Sequence, residues 1–193
     1  MNEKISEILD GFKIFDGIYK RELIDSAIEL KDEISPYLVR ILENVLRDPE
    51  KYIENKKLVD HFYSIMLLGH FREPKPHKVI VDLFSLPDDI PNKLYRDLIS
   101  GDLSTILVRT CDRRIDLIKS MVLNQSINVF CRIAAAHAMT YAVVDGIVTR
   151  EEVVSFFGTL FTGNEVEGMS DFWGLLATFA YDLYPKEIMH TIK

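Results

Sequence analysis

Cysteine is nearly absent from this 193-residue chain: Cys111 and Cys131 are the only two, and each stands inside an apolar pattern. A thiol so placed behaves as a small hydrophobe, which excludes a disulfide-stapled secreted scaffold and points to a reducing, cytoplasmic setting. Positive charge is also in deficit, with 23 Lys and Arg against 30 Asp and Glu for a net charge of −7. General affinity for nucleic acid rests on clustered cations neutralising phosphates, so nucleic acid is excluded as a partner, and anionic membranes are disfavoured for the same reason. The densest basic patches, Lys20-Arg21, Lys56-Lys57 and Arg113-Arg114, are dipeptides with acids nearby and read as solvated helix faces.

Long hydrophobic runs are missing too. The most apolar stretch, Val129 to Val144, contains Arg132 and His137 and is too short to cross a bilayer comfortably, so it reads as a buried helix. The first residues, Met1-Asn2-Glu3-Lys4, lack the basic-then-apolar pattern of a secretory leader. Alternation of apolar and polar residues between hairpin turns is not sustained anywhere, which predicts little or no strand.

What remains is helical periodicity. Tyr37, Leu38, Ile41, Leu42, Val45 and Leu46 fall on one stripe, with Ser35-Pro36 read as the helix start and Asp48-Pro49 as its end. Leu23, Ile24, Ala27 and Ile28 repeat the pattern before it; Leu58, Val59, Phe62, Tyr63 and Met66 repeat it after. A short helix over Val79 to Phe84 lies between prolines, and Thr149 to Glu152 forms a capping box ahead of Val153, Val154 and Phe157. Ser170 caps the helix that carries Phe172, Trp173, Leu176 and Phe179, and Asp145-Gly146 makes a turn.

Helix starts near Pro36, Pro76, Arg113, Thr149 and Pro185 recur at roughly 36 to 40 residues, the spacing of two-helix repeats. Such units gain a core only by stacking. The expectation is an all-α fold of stacked antiparallel helix pairs, an α-solenoid, with residues 1–193 as one domain and the stretch between Pro87 and Cys111 fitting the rhythm least well.

The segment Asn128-Val129-Phe130-Cys131-Arg132-Ile133-Ala134-Ala135-Ala136-His137-Ala138-Met139 resembles the inner part of a HEAT-like repeat. More widely, Phe71-Arg72-Glu73-Pro74, Phe84-Ser85-Leu86-Pro87, Gly101-Asp102-Leu103 and the alanine helix, in this order, resemble the bacterial family known as domain of unknown function 1186. The resemblance spans most of the chain and implies a helical-repeat fold with no established activity. Longer members of that family end in a cysteine-rich zinc motif. No cysteine follows Cys131, so no zinc ligand carries over, and the amphipathic run Ile188 to Ile192 without a helix stop suggests a C-terminal continuation.

Motifs of chemistry are scarce. His61, His70, His77 and Glu73 do not share helical register across Pro74 and Pro76, which argues against a metal site. Gly163 to Ser170 approaches a phosphate-binding loop but carries Met169 in the lysine position and two glutamates, so it reads as an inter-helix loop. Cys111 or Cys131 as a nucleophile would need the charge of Arg109, Arg113 or Arg132; core packing is the simpler reading. Arg132, almost alone among apolar residues, needs a partner, for which Asp112, Asp116 and Asp145 are available.

The expected function is therefore a noncatalytic protein-binding or scaffold module, with a protein or peptide as partner and no cofactor. Its interaction surface is placed on Phe157, Phe161, Trp173 and Tyr184, through which self-association is the related expectation. The alternative is an enzyme or cofactor-handling protein with a polar cluster at His70, Arg72, Glu73 and His77.

Overall fold

The computed structural model describes residues 3–87, 89–161 and 171–192. They form α1 (Glu3–Lys13), α2 (Arg21–Glu29), α3 (Lys31–Arg47), α4 (Pro49–Glu54), α5 (Asp60–Phe71), α6 (His77–Phe84), α7 (Ile90–Tyr95), α8 (Leu98–Gly101), α9 (Leu103–Thr110), α10 (Asp116–Leu123), α11 (Val129–Val144), α12 (Arg150–Leu160), α13 (Asp171–Asp182) and a final 3₁₀ turn (Lys186–Ile188). Among the described residues there is no strand, and the single bridge, Ile14 to Leu58, merely ties the end of α1 to the start of α5's approach. The fold is all-helical. The segment between Pro87 and Cys111, which fitted the sequence rhythm least, holds the three short helices α7, α8 and α9.

Helices α3, α5, α9, α11 and α13 lie side by side in chain order, and α6, α10 and α12 flank them. After α5, α9, α11 and α13 the chain reverses through a left-handed residue each time: Arg72 (φ 55°), Asp112 and Arg113 (φ 50° and 62°), Gly146 (φ 65°) and Tyr184 (φ 54°). This conformation folds amides back onto the helix's last carbonyls. The Glu73 amide donates to the Leu68 carbonyl (3.1 Å), and the Ile147 amide to that of Ala142 (2.8 Å), with the same spacing. Asp145-Gly146 announces one of these stops in the sequence; Arg72, Asp112 and Tyr184 carry the same geometry without glycine, at the steric cost that Cβ imposes there.

Several hydrogen bonds between distant parts of the chain span the same 33 residues. They join His61 to Leu94, His77 to Thr110, Arg113 to Gly146, Lys119 to Glu152 and Arg150 to Leu183.

Two local expectations need correction or refinement. Helix α3 begins at Lys31, not at Pro36, and runs through that proline. Ser35 does not cap forward; its hydroxyl donates back to the Lys31 carbonyl (2.6 Å), while α3's close succession to α2 through Leu30 supplies the start. Thr149 does cap α12, accepting from the Glu152 amide at 3.2 Å, and Asn128 caps α11 by accepting from the Phe130 amide at 2.9 Å. Ser170 lies outside the described residues.

The core centres on α11, which buries Arg132 together with its alanines. The Arg132 Nε donates to the Val122 carbonyl at the end of α10 (3.0 Å), and the guanidinium lies 4.4 Å from the centre of the Phe172 ring. Asp112, one of the carboxylates considered as partners, lies 3.8 Å from Arg114. A backbone carbonyl and an aromatic face, both on elements packed against α11, are thus among the groups that hold the guanidinium.

Candidate functional site

The four polar residues near the α5–α6 turn are not assembled into one site. The turn is short and each side chain leaves it in a different direction. His70, on the last turn of α5, borders an apolar groove. Arg72 faces a depression with Arg109, Arg113 and Asp145, and Glu73 faces Arg40 and Glu43 of α3. His77, the first residue of α6, is buried in the wall of a separate cleft.

That cleft, of about 390 Å³, lies between the α5–α6 turn and the α9–α10 turn. His77 is 7% exposed, and its Nδ1 lies 2.9 Å from Thr110 Oγ1. The threonine hydroxyl donates to the Ile106 carbonyl (2.8 Å), so its oxygen accepts from the imidazole and Nδ1 carries the proton. Nε2 is then a bare lone pair, and it has no hydrogen-bond partner. Burial, aided by the nearby Arg114 charge, pushes the imidazole pKa down to about 4, so the ring is neutral at physiological pH. Lys75, Lys78 and Arg114 surround it, with Asp112 and Asp116 as the acids.

Cys111 lines the same cleft but donates to the Val108 carbonyl (3.2 Å), and burial pushes its thiol pKa up. Cys131 is pushed up to about 12 by its burial. Both thiols are protonated at neutral pH, and His77 turns its proton to Thr110, so the cleft holds no activated cysteine–histidine pair. Among the described residues no group of three or more His, Cys, Asp or Glu side chains is placed to hold a metal ion. The phosphate-loop resemblance at Gly163 to Ser170 falls outside the described residues.

The second feature is the groove of about 350 Å³ between α2 and α5. Its walls are Ile24 and Ile28 of α2 and Phe62, Met66 and Leu67 of α5, with Tyr63 stacked on Phe12 of α1 at 4.4 Å. His70 is its only strongly polar lining residue beyond the tyrosine hydroxyls of Tyr19 and Tyr63. The loop from α1 to α2 contributes Tyr19 to the wall and also carries Phe15 and Ile18, all three more than half exposed, and Met66 is 42% exposed. Gly17 (φ 82°) and a contact of Lys20 with Asp16 shape that loop. This groove escaped the sequence reading, because Ile24, Ile28 and Met66 sit on stripes indistinguishable from core. The available signal was Ile14-Phe15-Asp16-Gly17-Ile18-Tyr19, an apolar segment without helical period.

The C-terminal aromatic set divides. Phe157 is fully buried and therefore withdrawn from any surface, whereas Tyr184 is 77% exposed. Phe161 and Trp173 are half-buried with ring centres 6.0 Å apart. Packing of α12 on α11, α13 and the 3₁₀ turn draws Phe157 inward.

Comparison with known proteins adds the family. The model of a family described as protein of unknown function, DUF1186, matches residues 3–193. The chain belongs to this family. Among its relatives, an uncharacterised protein of Chlamydia trachomatis is 32% identical over 192 residues, covering 100% of this chain and 76% of its own length. An uncharacterised protein of Chlamydia muridarum is 31% identical over 189 residues, covering 98% of this chain and 76% of its own length. No solved structure matches. No described helix is long and apolar enough to cross a membrane.

Proposed function

We propose that the protein is a noncatalytic binding module of the cytoplasm, a HEAT-like α-solenoid of stacked helix pairs that holds the apolar face of a partner protein segment in the α2–α5 groove. The observation that carries this reading is the groove itself, an apolar channel lined in part by the exposed Tyr19, Ile28 and Met66. Apolar surface gathered in one place on a folded domain marks a site of association, and an amphipathic helix laid in a groove is a recurring way to cover it. Three ion pairs, Lys4 to Glu29, Lys20 to Asp16 and Arg21 to Asp25, balance charge beside the groove, so selection there rests on apolar fit.

The repeat reading is supported by the recurrent left-handed helix stops and the shared 33-residue spacing of the inter-unit hydrogen bonds. Two buried cysteines without a disulfide suit a reducing compartment. The test is fluorescence anisotropy with a labelled synthetic helix bearing Leu, Phe and Met along one face. Saturable binding is expected, weakened by about tenfold or more in Met66→Asp, since loss of a central apolar anchor is commonly worth over 1 kcal/mol. Absence of binding to the wild-type protein, or binding indifferent to Met66→Asp, rejects the groove.

A further inference from the structure

The cleft around His77 has a chemistry of its own, independent of the apolar groove. Three properties converge there. Its lining carries three cations, Lys75, Lys78 and Arg114, against Asp112 and Asp116, in a chain whose total is −7, with Asp82 pairing Lys78 at the rim and His77 neutral. Helix α6 starts at the cleft with neither a capping side chain nor an acidic residue in its first turn; the His77 amide donates to the Pro74 carbonyl, and the positive end of the helix dipole with the Lys78 and Val79 amides remains at this edge. The α10 N-terminus is uncapped as well, although Asp116 in its first turn offsets part of its field. Finally, the His77 Nε2 lone pair is buried at the cleft wall without a donor.

A simple dianion such as sulfate would satisfy the first two properties and leave the third. A group that is both anionic and a hydrogen-bond donor satisfies all three. We propose that this cleft binds a small phosphorylated molecule through its phosphate, with the anionic oxygens at Arg114, Lys75 and the α6 N-terminus and the residual P–OH donating to His77 Nε2. A phosphate monoester keeps that proton on a substantial fraction of molecules near its second ionisation, at about pH 6. Lys78 is held 2.6 Å from Asp82 and contributes field more than contact, while Arg114, 3.8 Å from Asp112 and 78% exposed, is free to turn inward.

Titration calorimetry of the full chain at pH 6.5, with inorganic phosphate, glycerol 3-phosphate and sulfate as probes, tests this, with amide chemical shifts of Lys78 and Val79 reporting location. The expected result is saturable binding of both phosphates at least about tenfold tighter than sulfate, with the shifts confined to the α5–α6 and α9–α10 turns, and a loss of about tenfold in Arg114→Glu, whose exposed side chain leaves the fold intact. His77→Phe should erase the preference for phosphate over sulfate while retaining weak anion binding; should that variant fail to fold, the phosphate-to-sulfate ratio in the wild type stands alone as the test. Equal affinity for sulfate removes the P–OH to Nε2 contact and overturns the proposal. So does binding to vesicles carrying phosphatidic acid without binding of either soluble phosphate, which would assign the cleft to a membrane surface, and so does no binding at all.

Discussion

Helices α11 and α2 each carry an apolar stripe and meet opposite fates. Of the sixteen residues of α11 ten are buried, whereas α2 buries one of nine, Ala27. Part of the difference is composition, since α2 carries the charged Arg21, Glu22, Asp25 and Glu29 where α11 carries only Arg132, and the rest lies in their neighbours. Helix α11 is enclosed by α8, α9, α10, α12 and α13, so even Arg132 is sealed inside; α2 packs mainly on α1, α3 and α5, leaving Ile28 at its surface. An apolar stripe states that a face must be covered, and the stacking order decides whether the chain itself covers it.

The sharpest way to break this comparison is to change the most enclosed polar group. Arg132→Ala should destabilise the protein by about 3–5 kcal/mol in urea unfolding, from the cavity and from the Val122 carbonyl left without its donor. Arg132→Met, which keeps the volume, should cost less but still lower the melting temperature; an unchanged one would show that the enclosure tolerates the loss of the guanidinium.

His77 is the intermediate case, buried yet at an edge. Its folded pKa of about 4 lies below its ordinary value of 6.5, so acid favours the unfolded chain, which takes up the proton first. Stability from this group is intact above pH 6.5 and falls as the pH drops toward 4, by about 3 kcal/mol in all. Other groups also titrate, so the measurement is the difference between wild type and His77→Gln across pH 7 to 4. A constant difference would place His77 in a far more hydrated setting than its burial indicates.

The smallest effect belongs to the open end. Ile18→Asp and Tyr19→Asp, at 65% and 73% exposure, should alter unfolding free energy by no more than about 0.5 kcal/mol. A loss of several times that would mean the loop is core, and that α2 is closed in the way α11 is.

Much of the architecture was legible before any coordinates. Periodicity at Tyr37 to Leu46, the capping box at Thr149 and the chargeless alanine run 133–144 all found their helices, because 3.6-residue spacing and a capping hydroxyl are local physics. The candidate site was less legible. His70, Arg72, Glu73 and His77 are neighbours in sequence, yet the left-handed stop at Arg72 sends them toward four different depressions. Nothing in Phe71-Arg72-Glu73 signals that stop, since no glycine marks it.

The sequence by itself determined the helical class and the need for every apolar stripe to find a neighbour, since both follow from residue spacing and from the burial of apolar area. Tertiary structure alone decided which stripe would be left open, that the Arg132 Nε would reach the Val122 carbonyl beside the Phe172 ring, and that Thr110, 33 residues away, would accept a hydrogen bond from His77 Nδ1 and leave Nε2 bare. Those outcomes depend on which helix surfaces meet, and contact between residues distant in the chain is set by packing that no local pattern encodes.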